Sequence, residues 1–241
     1  MKKKKTIIIG TGNFAMMLYD FITYDSDYEV TAFTVNKAYM PDICSLQGLP
    51  VVPFEEVMGN YPPSEYSAMI GIGYPDLNRV RERMYLEAKR LGYECASYVG
   101  SKSMIWRNSS IGENCIIMDG ACVEYDVKIG NNVVMWPLSS VGHQSIIGDN
   151  CWLSGGCHVS GLCKVGKNTF FGVNSSVKGN THVADFTMIG ANVYINQDTK
   201  EFGVFYSQPG KDMLKDASED DRERLQSVMI GLQEKSDKKD K

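Results

Sequence analysis

The chain has 241 residues, enough for two modest domains that each bury a core. Its 29 acidic side chains against 25 basic ones give a formal net charge of −4, which leaves no basic face for a phosphate backbone and excludes nucleic acid as the main partner. Behind the lysines at 2–5 the apolar stretch is only Ile7, Ile8 and Ile9, too short for a signal peptide or a span, so no membrane partner is expected.

In chain order, residues 5–9 read as a buried strand, Gly10-Thr11-Gly12-Asn13-Phe14-Ala15 as a tight turn, and residues 15–23 as a helix with Met16, Leu18, Phe21 and Ile22 apolar. Strands follow at 28–35, 48–52 and 68–72, a helix at 76–91, and a last strand at 95–98. Alternating strands and helices predict a small Rossmann-like parallel sheet over residues 1–98, an α/β domain whose Gly-rich turn faces the usual nucleotide position. The turn lacks the third Gly of the dinucleotide fingerprint. Thr34, Val35 and Asn36 also stand where its acidic residue belongs, so NAD is disfavoured. A single nucleoside diphosphate could still meet the backbone N–H groups at the helix start.

From Ile111 to Ile195 every sixth residue is apolar, fifteen times in one register, and a small residue follows four positions after each. At 43% hydrophobic residues such a run arises by composition only about a few times in a million, so the period is structural. Ile111-Gly112, Ile129-Gly130, Ile147-Gly148 and Val165-Gly166 add a period of eighteen, with Val183-Ala184 continuing it. Three hexads per turn predict a parallel β-helix over residues 99–211, its apolar columns pointing inward and the hexads at Val99 and Ile105 making the first turn.

Seven cysteines form no CxxC pair, and four of them occupy inward small positions, which points to buried thiols in a reducing, cytoplasmic setting. The segment 212–241 closes the chain. Leu225, Val228, Met229 and Leu232 give it one amphipathic helix, followed by a polar end expected to stay unstructured.

Three histidines lie on the repeats. Counted in steps of eighteen, His143, His158 and His182 point in different directions on different coils, so no metal site is expected. His143, in Val141-Gly142-His143-Gln144-Ser145, falls outside the inward columns. Glu124, Tyr125 and Asp126 lie one coil below it and Gly161 one coil above, the surroundings of a general base that a ligand can reach.

The Gly-x-Gly-x-Phe-Ala start, the unbroken hexads around Val-Gly-His-Gln-Ser-Ile-Ile-Gly-Asp and the closing Gln-Pro-Gly-Lys resemble the nucleotide-sugar acetyltransferases of the left-handed β-helix, hexapeptide-repeat superfamily, over residues 5–211. Similar enzymes serve the bacillosamine and sialic-acid pathways. The resemblance implies a left-handed coil, a homotrimer, acetyl-CoA as co-substrate, and a nucleotide-linked amino sugar held against the N-terminal domain. It implies His143 as catalytic histidine. Because Gln144 replaces an acidic neighbour found in relatives, Glu124 or Asp126, one coil below, is expected to orient the ring instead. Trp152, Gly161, Val173 and Ala191 match acetyl-CoA contacts, and Gly12, Asn13, Phe14, Thr34, Lys37 and Gly73 match substrate contacts. Trp152 departs from a second histidine, and Thr34-Val35 departs from a carboxylate pair that helps grip the nucleotide. N-acetylation in glycan biosynthesis is the expected reaction. O-acetylation of the sialic-acid type and a metal-dependent β-helix enzyme of the carbonic-anhydrase type are the alternatives.

Overall fold

The unbroken apolar run at the start becomes β1 (Lys4–Ile9), which leads into α1 (Asn13–Asp25), β2 (Tyr28–Val35), β3 (Ser45–Leu46), β4 (Leu49–Pro53), the short α2 (Val57–Asn60), β5 (Ser67–Ile70) and α3 (Arg79–Arg90). The sheet order is β3-β4-β2-β1-β5, parallel except for the β3 edge. Both faces of the sheet are covered, which is why β1 shows no polar alternation. Ile8 packs with Leu18 and Ile22 of α1, while Ile7 and Ile9 pack with Met84 and Ala88 of α3. The computed structural model describes residues 3–42, 44–208 and 218–223. Residues to Ser207 form one unit, and a second begins at Gln208.

Two expected elements shift. The helix expected over 76–91 begins only at Arg79, because Asp76, Leu77 and Asn78 take left-handed φ values of 51°, 46° and 64°. Asn168 of the coil holds this turn by donating to the Leu77 carbonyl and to the Glu82 carboxylate at 3.3 and 3.0 Å. The strand expected over 95–98 is only a bridge between Ala68 and Cys95, since Tyr98–Val99 already belongs to the coil.

From Tyr98 onward, two-residue strands alternate with four-residue turns in a left-handed parallel β-helix. Among the described residues its first face holds seven strands, from Tyr98–Val99 to Val204–Phe205. The second holds six, from Met104–Ile105 to Tyr194–Ile195, and the third five, from Ser110–Ile111 to His182–Val183. Up to Ile195 each strand residue pairs with the one eighteen positions on, as Val123 does with Val141, and the last rung pairs Met188 with Val204 sixteen positions on. The second residue of each strand points inward: Val141, Val159, Phe171, Val177, Val183 and Ile189 are fully buried.

The small inward residues carry polar atoms that the backbone satisfies. The thiols of Cys115, Cys151 and Cys163 donate to the carbonyls of Gly130, Gly166 and Lys178 at 3.1 to 3.2 Å, and all seven cysteines are free. Asn114, Asn132, Asn150 and Asn168 occupy left-handed positions between the third and first faces, a conformation Asn tolerates. There the Asn114 amide donates to Asn132 at 2.6 Å and Asn132 donates to Asn150 at 2.8 Å, while Asn114 accepts from the Ile70 N–H of β5 at 2.9 Å.

The outward residues Tyr98, Ile116, Val134 and Trp152 of the first face share one core with Ala15, Leu18, Phe33 and Met69 of the N-terminal sheet and α1. Asp25, at the end of α1, accepts from the Tyr98 hydroxyl and the Ser101 N–H, both at 2.9 Å. In the second unit Ser218 accepts from the Asp221 N–H at 3.2 Å, capping a helical stretch at 219–223. Leu225, Val228, Met229 and Leu232, like Pro209-Gly210-Lys211, lie outside the described residues.

Replacing Asn132 with Ala strips a buried acceptor from Asn114 and a donor from Asn150, and leaves Ala at a φ of 58°. We expect a loss of about 3 kcal/mol of stability, read as a lower denaturant midpoint by circular dichroism.

Candidate active site

The corner between the second and third faces stacks Tyr125, His143, Gly161 and Gly179 in one column. The His143 ring leans up against Gly161. A methyl group there would come within 2.5 Å of Nε2, 2.7 Å of Cε1 and 2.8 Å of Cδ2. Two positions without side chains above the ring leave a notch at an exposed corner. The Gly161 carbonyl accepts from the Asn180 N–H at 3.0 Å, but its own N–H has no partner among the described residues. Leu162, beside it, is half exposed at a φ of 62°, a strained conformation for a branched side chain.

Neither expected carboxylate reaches the imidazole. Glu124 lies nineteen residues before His143, one short of the column, and its carboxylate accepts the backbone N–H of His143 at 2.9 Å. Asp126 is exposed, and its own N–H goes to Asn108 at 3.1 Å. The ring's Nδ1 lies 3.4 Å from Gln144 Oε1, too far for a strong hydrogen bond. Glu124 thus anchors the main chain that carries the histidine. His158 points outward from the second face, with Nδ1 2.6 Å from Ser140 Oγ, and His182 stands on the third face. Among the described residues no three His, Cys, Asp or Glu side chains converge as metal ligands would.

A second concavity, about 380 Å³, opens where β1 meets α1. Gly12, Asn13, Phe14 and Gly73 line it as expected, together with Asn36, Tyr39 and Arg83. A Cβ on Gly10, at a φ of 128°, would lie 2.7 Å from the Gly71 carbonyl oxygen, so the strand ends approach this closely only with glycine. At Gly12 a Cβ would meet nothing within 4 Å, so open space lies in front of it. No side chain caps the N-terminus of α1 and no acidic residue sits in its first turn, so its N–H groups face this space as anion donors.

Beneath the concavity lies Arg81, fully buried, donating to the carbonyls of Ile70, Ile72 and Asn114 with its guanidinium 5.8 Å from the Phe14 ring centre. Burial pushes its pKa down to about 9, so it remains a cation at neutral pH, and no carboxylate pairs with it among the described residues. Its positive charge adds to that of the helix end. No sequence signal marked it, because it sits in a helix already rich in charge.

Two expected substrate contacts do not face this space. Thr34 alternates into the core and is fully buried with its hydroxyl unpaired, leaving Val35 and Asn36 at the pocket. Lys37 turns away to pair with Glu56 at 3.3 Å. The expected acetyl-CoA contacts are also dispersed. Trp152 is only 2% exposed, packed against Phe14 and Tyr74 at 5.1 Å in the core shared with the N-terminal sheet, so it offers no surface to a ligand. Val173 and Ala191 are exposed, but at the corner between the first and second faces, one corner away from Gly161. Replacing Gly161 with Ala should displace the His143 ring without unfolding the coil. Changed ring nitrogen shifts of His143 in nuclear magnetic resonance would report it, and unchanged shifts would contradict the contact.

Comparison with known proteins bears on the fold. Family models match two stretches, bacterial transferase hexapeptide (six repeats) at residues 108–143 and hexapeptide repeat of succinyl-transferase at 163–197. No curated protein sequence matches the chain. Among solved structures, the acetyltransferase domain of PglB from Neisseria gonorrhoeae aligns with a TM-score of 0.76 at 20% identity, covering 87% of this chain and 99% of that one. The same domain in complex with acetyl coenzyme A aligns at 0.69 and 19% identity, covering 80% and 93%. PerB from Caulobacter crescentus, in complex with CoA and GDP-perosamine, aligns at 0.72 and 21% identity, covering 84% and 91%. The chain therefore carries hexapeptide repeats and has the same fold, from N-terminal sheet through β-helix, as these two acetyltransferases.

Proposed function

We propose that this protein is an acetyl-CoA-dependent acetyltransferase that N-acetylates an amino sugar linked to a nucleoside diphosphate, in cytoplasmic glycan biosynthesis. The observation that carries this reading is the His143 imidazole set against Gly161, whose N–H has no partner among the described residues, on a chain that also opens an uncapped helix end beside a buried cation. The structures of PglB with acetyl coenzyme A and of PerB with CoA and GDP-perosamine support the choice of substrates. Seven free thiols suit a reducing compartment, and no helix among the described residues is long and apolar enough to cross a membrane.

In this reading the sugar amine attacks the thioester carbonyl while neutral His143 takes its proton, forming the C–N bond. The carbonyl oxygen becomes an oxyanion that the Gly161 N–H stabilises. As the intermediate collapses, the C–S bond breaks and CoA leaves as thiolate, which His143 can reprotonate. Glu124 acts as a positioning residue through the His143 backbone. The diphosphate would lie at the start of α1, with Gly12, Asn13, Phe14 and Gly73 around it.

The donor contacts expected at Gly161, Val173 and Ala191 lie at two different corners of one coil, so a donor groove uses both only between two chains. A homotrimer supplies such grooves. An exposed concavity of about 540 Å³ below the site, lined by Met104, Trp106 and Tyr125, offers apolar surface for the association. Light scattering should give about three times the chain mass of 26.9 kDa, and a monomer would remove the shared groove.

Mixing the protein with acetyl-CoA and a panel of nucleotide-linked amino sugars should release free CoA thiol, with the product acetylated on nitrogen. Replacing His143 with Ala should lower turnover by about two to four powers of ten while acetyl-CoA still binds. No thiol release with any amino-sugar nucleotide would overturn the proposal.

A further inference from the structure

The acidic residue missing from the end of β2 is supplied by another element. Glu55, which follows β4, places both carboxylate oxygens on the Lys37 N–H just beyond β2, at 2.9 and 3.2 Å. Its carboxyl is held below the usual range, first by its own backbone N–H and then by that of Lys37, so it is an ionised acceptor at neutral pH. The neighbouring Glu56 is neutralised by Lys37, and Glu87 by Arg90 at 2.9 Å. Among the described residues no cationic side chain comes within ion-pair distance of Glu55, although the charge of Lys37 acts on it from farther away.

Glu55 lines a groove of about 460 Å³ that shares Asn36, Arg83 and Met84 with the concavity at the α1 start. The two form one path from the anion-binding helix end past the end of β2. Phe54, Met58 and Met84 give the groove an apolar wall. Arg83 is exposed and makes no ion pair among the described residues. A ligand in this groove therefore meets an apolar surface for a flat ring, a carboxylate that only accepts and a guanidinium that only donates.

We propose that this groove holds the nucleobase of the substrate and that the base is guanine, with Glu55 accepting from N1–H and the N2 amino group and Arg83 donating to O6 and N7. The inference rests on the nucleotide-sugar reading above and deepens it. Guanine presents two adjacent donors on one edge and two adjacent acceptors on the next. Uracil and thymine present a single N–H between two carbonyl oxygens, which a carboxylate repels. Adenine and cytosine each offer one amino group and no second donor beside it. Glu55 is thereby a specificity-determining residue that stands in for the absent carboxylate of β2.

Calorimetric titration of the full chain with GDP, UDP, dTDP, ADP and inosine diphosphate tests this without acetyl transfer. GDP should bind at least about tenfold more tightly than UDP, dTDP or ADP, and inosine diphosphate, which lacks the N2 amino group, should bind more weakly than GDP. Glu55→Gln keeps an oxygen for the Lys37 N–H and should weaken GDP about ten- to a hundredfold while leaving UDP unchanged and abolishing the difference between GDP and inosine diphosphate. Glu56→Gln, on the adjacent ion pair, should leave the preference intact. Equal affinity for UDP and GDP, or a Glu55→Gln variant that loses all nucleotides alike, would overturn the assignment of guanine while leaving the acetyltransferase reading standing. If no nucleoside diphosphate binds, the nucleotide-sugar reading fails and this inference fails with it.

Discussion

The eighteen-residue register of the coil is the constraint on which the candidate site depends. Each rung hands its N–H and C=O groups to the next at 2.7 to 3.2 Å, so every residue has a fixed neighbour one turn above and below. His143 faces Gly161 because of that register, with Glu124 holding its main chain in place. A one-residue slip would carry inward valines to the surface and bring a side chain over the ring, so burial and site geometry are specified together. Left-handed turn residues make the register possible. Where the turns border the N-terminal sheet these are asparagines, whose side chains knit the corner. Beside the site they are Gln144 and Leu162, which gain no such bonds and leave the corner open.

The electrostatics of the N-terminal half follow a different logic. An uncapped helix end and a guanidinium whose two terminal nitrogens donate to carbonyls place positive potential under a concavity without filling it. A carboxylate partner for Arg81 would have been the simpler way to bury it, and would have cancelled that potential. The three carbonyls accept from its two terminal nitrogens, the Nε–H stays without a partner among the described residues, and the charge is left uncompensated.

Much of this was legible in the sequence. The hexads define the coil, its inward columns and the stacking of His143 under Gly161, because a period of eighteen converts position in the chain directly into position in space. β2 agrees to the residue and β1, β4 and β5 agree within two residues at either end, while the strand expected over 95–98 is only a bridge. What failed to show were properties of chain reversals and of contacts between the two halves. The left-handed turn before α3 is imposed by Asn168 from 91 residues away, and no local propensity announces it. Trp152 reads as a surface position in the repeat, yet the N-terminal sheet lies over it. Glu124 and Thr34 each stand one residue from the position their expected roles require, and a shift of one residue decides whether a side chain meets the ring or the main chain, the pocket or the core.

The aromatic stripe joining the halves bears on inheritance. Tyr98, Trp152 and the residues beside them belong to the coil by sequence, but they stay dry only because the sheet rests on them. Neither half is a portable module: a shuffled or truncated descendant that lost the sheet would bare an adhesive band along one side of its prism. Binding and chemistry on this chain must therefore evolve as a single piece.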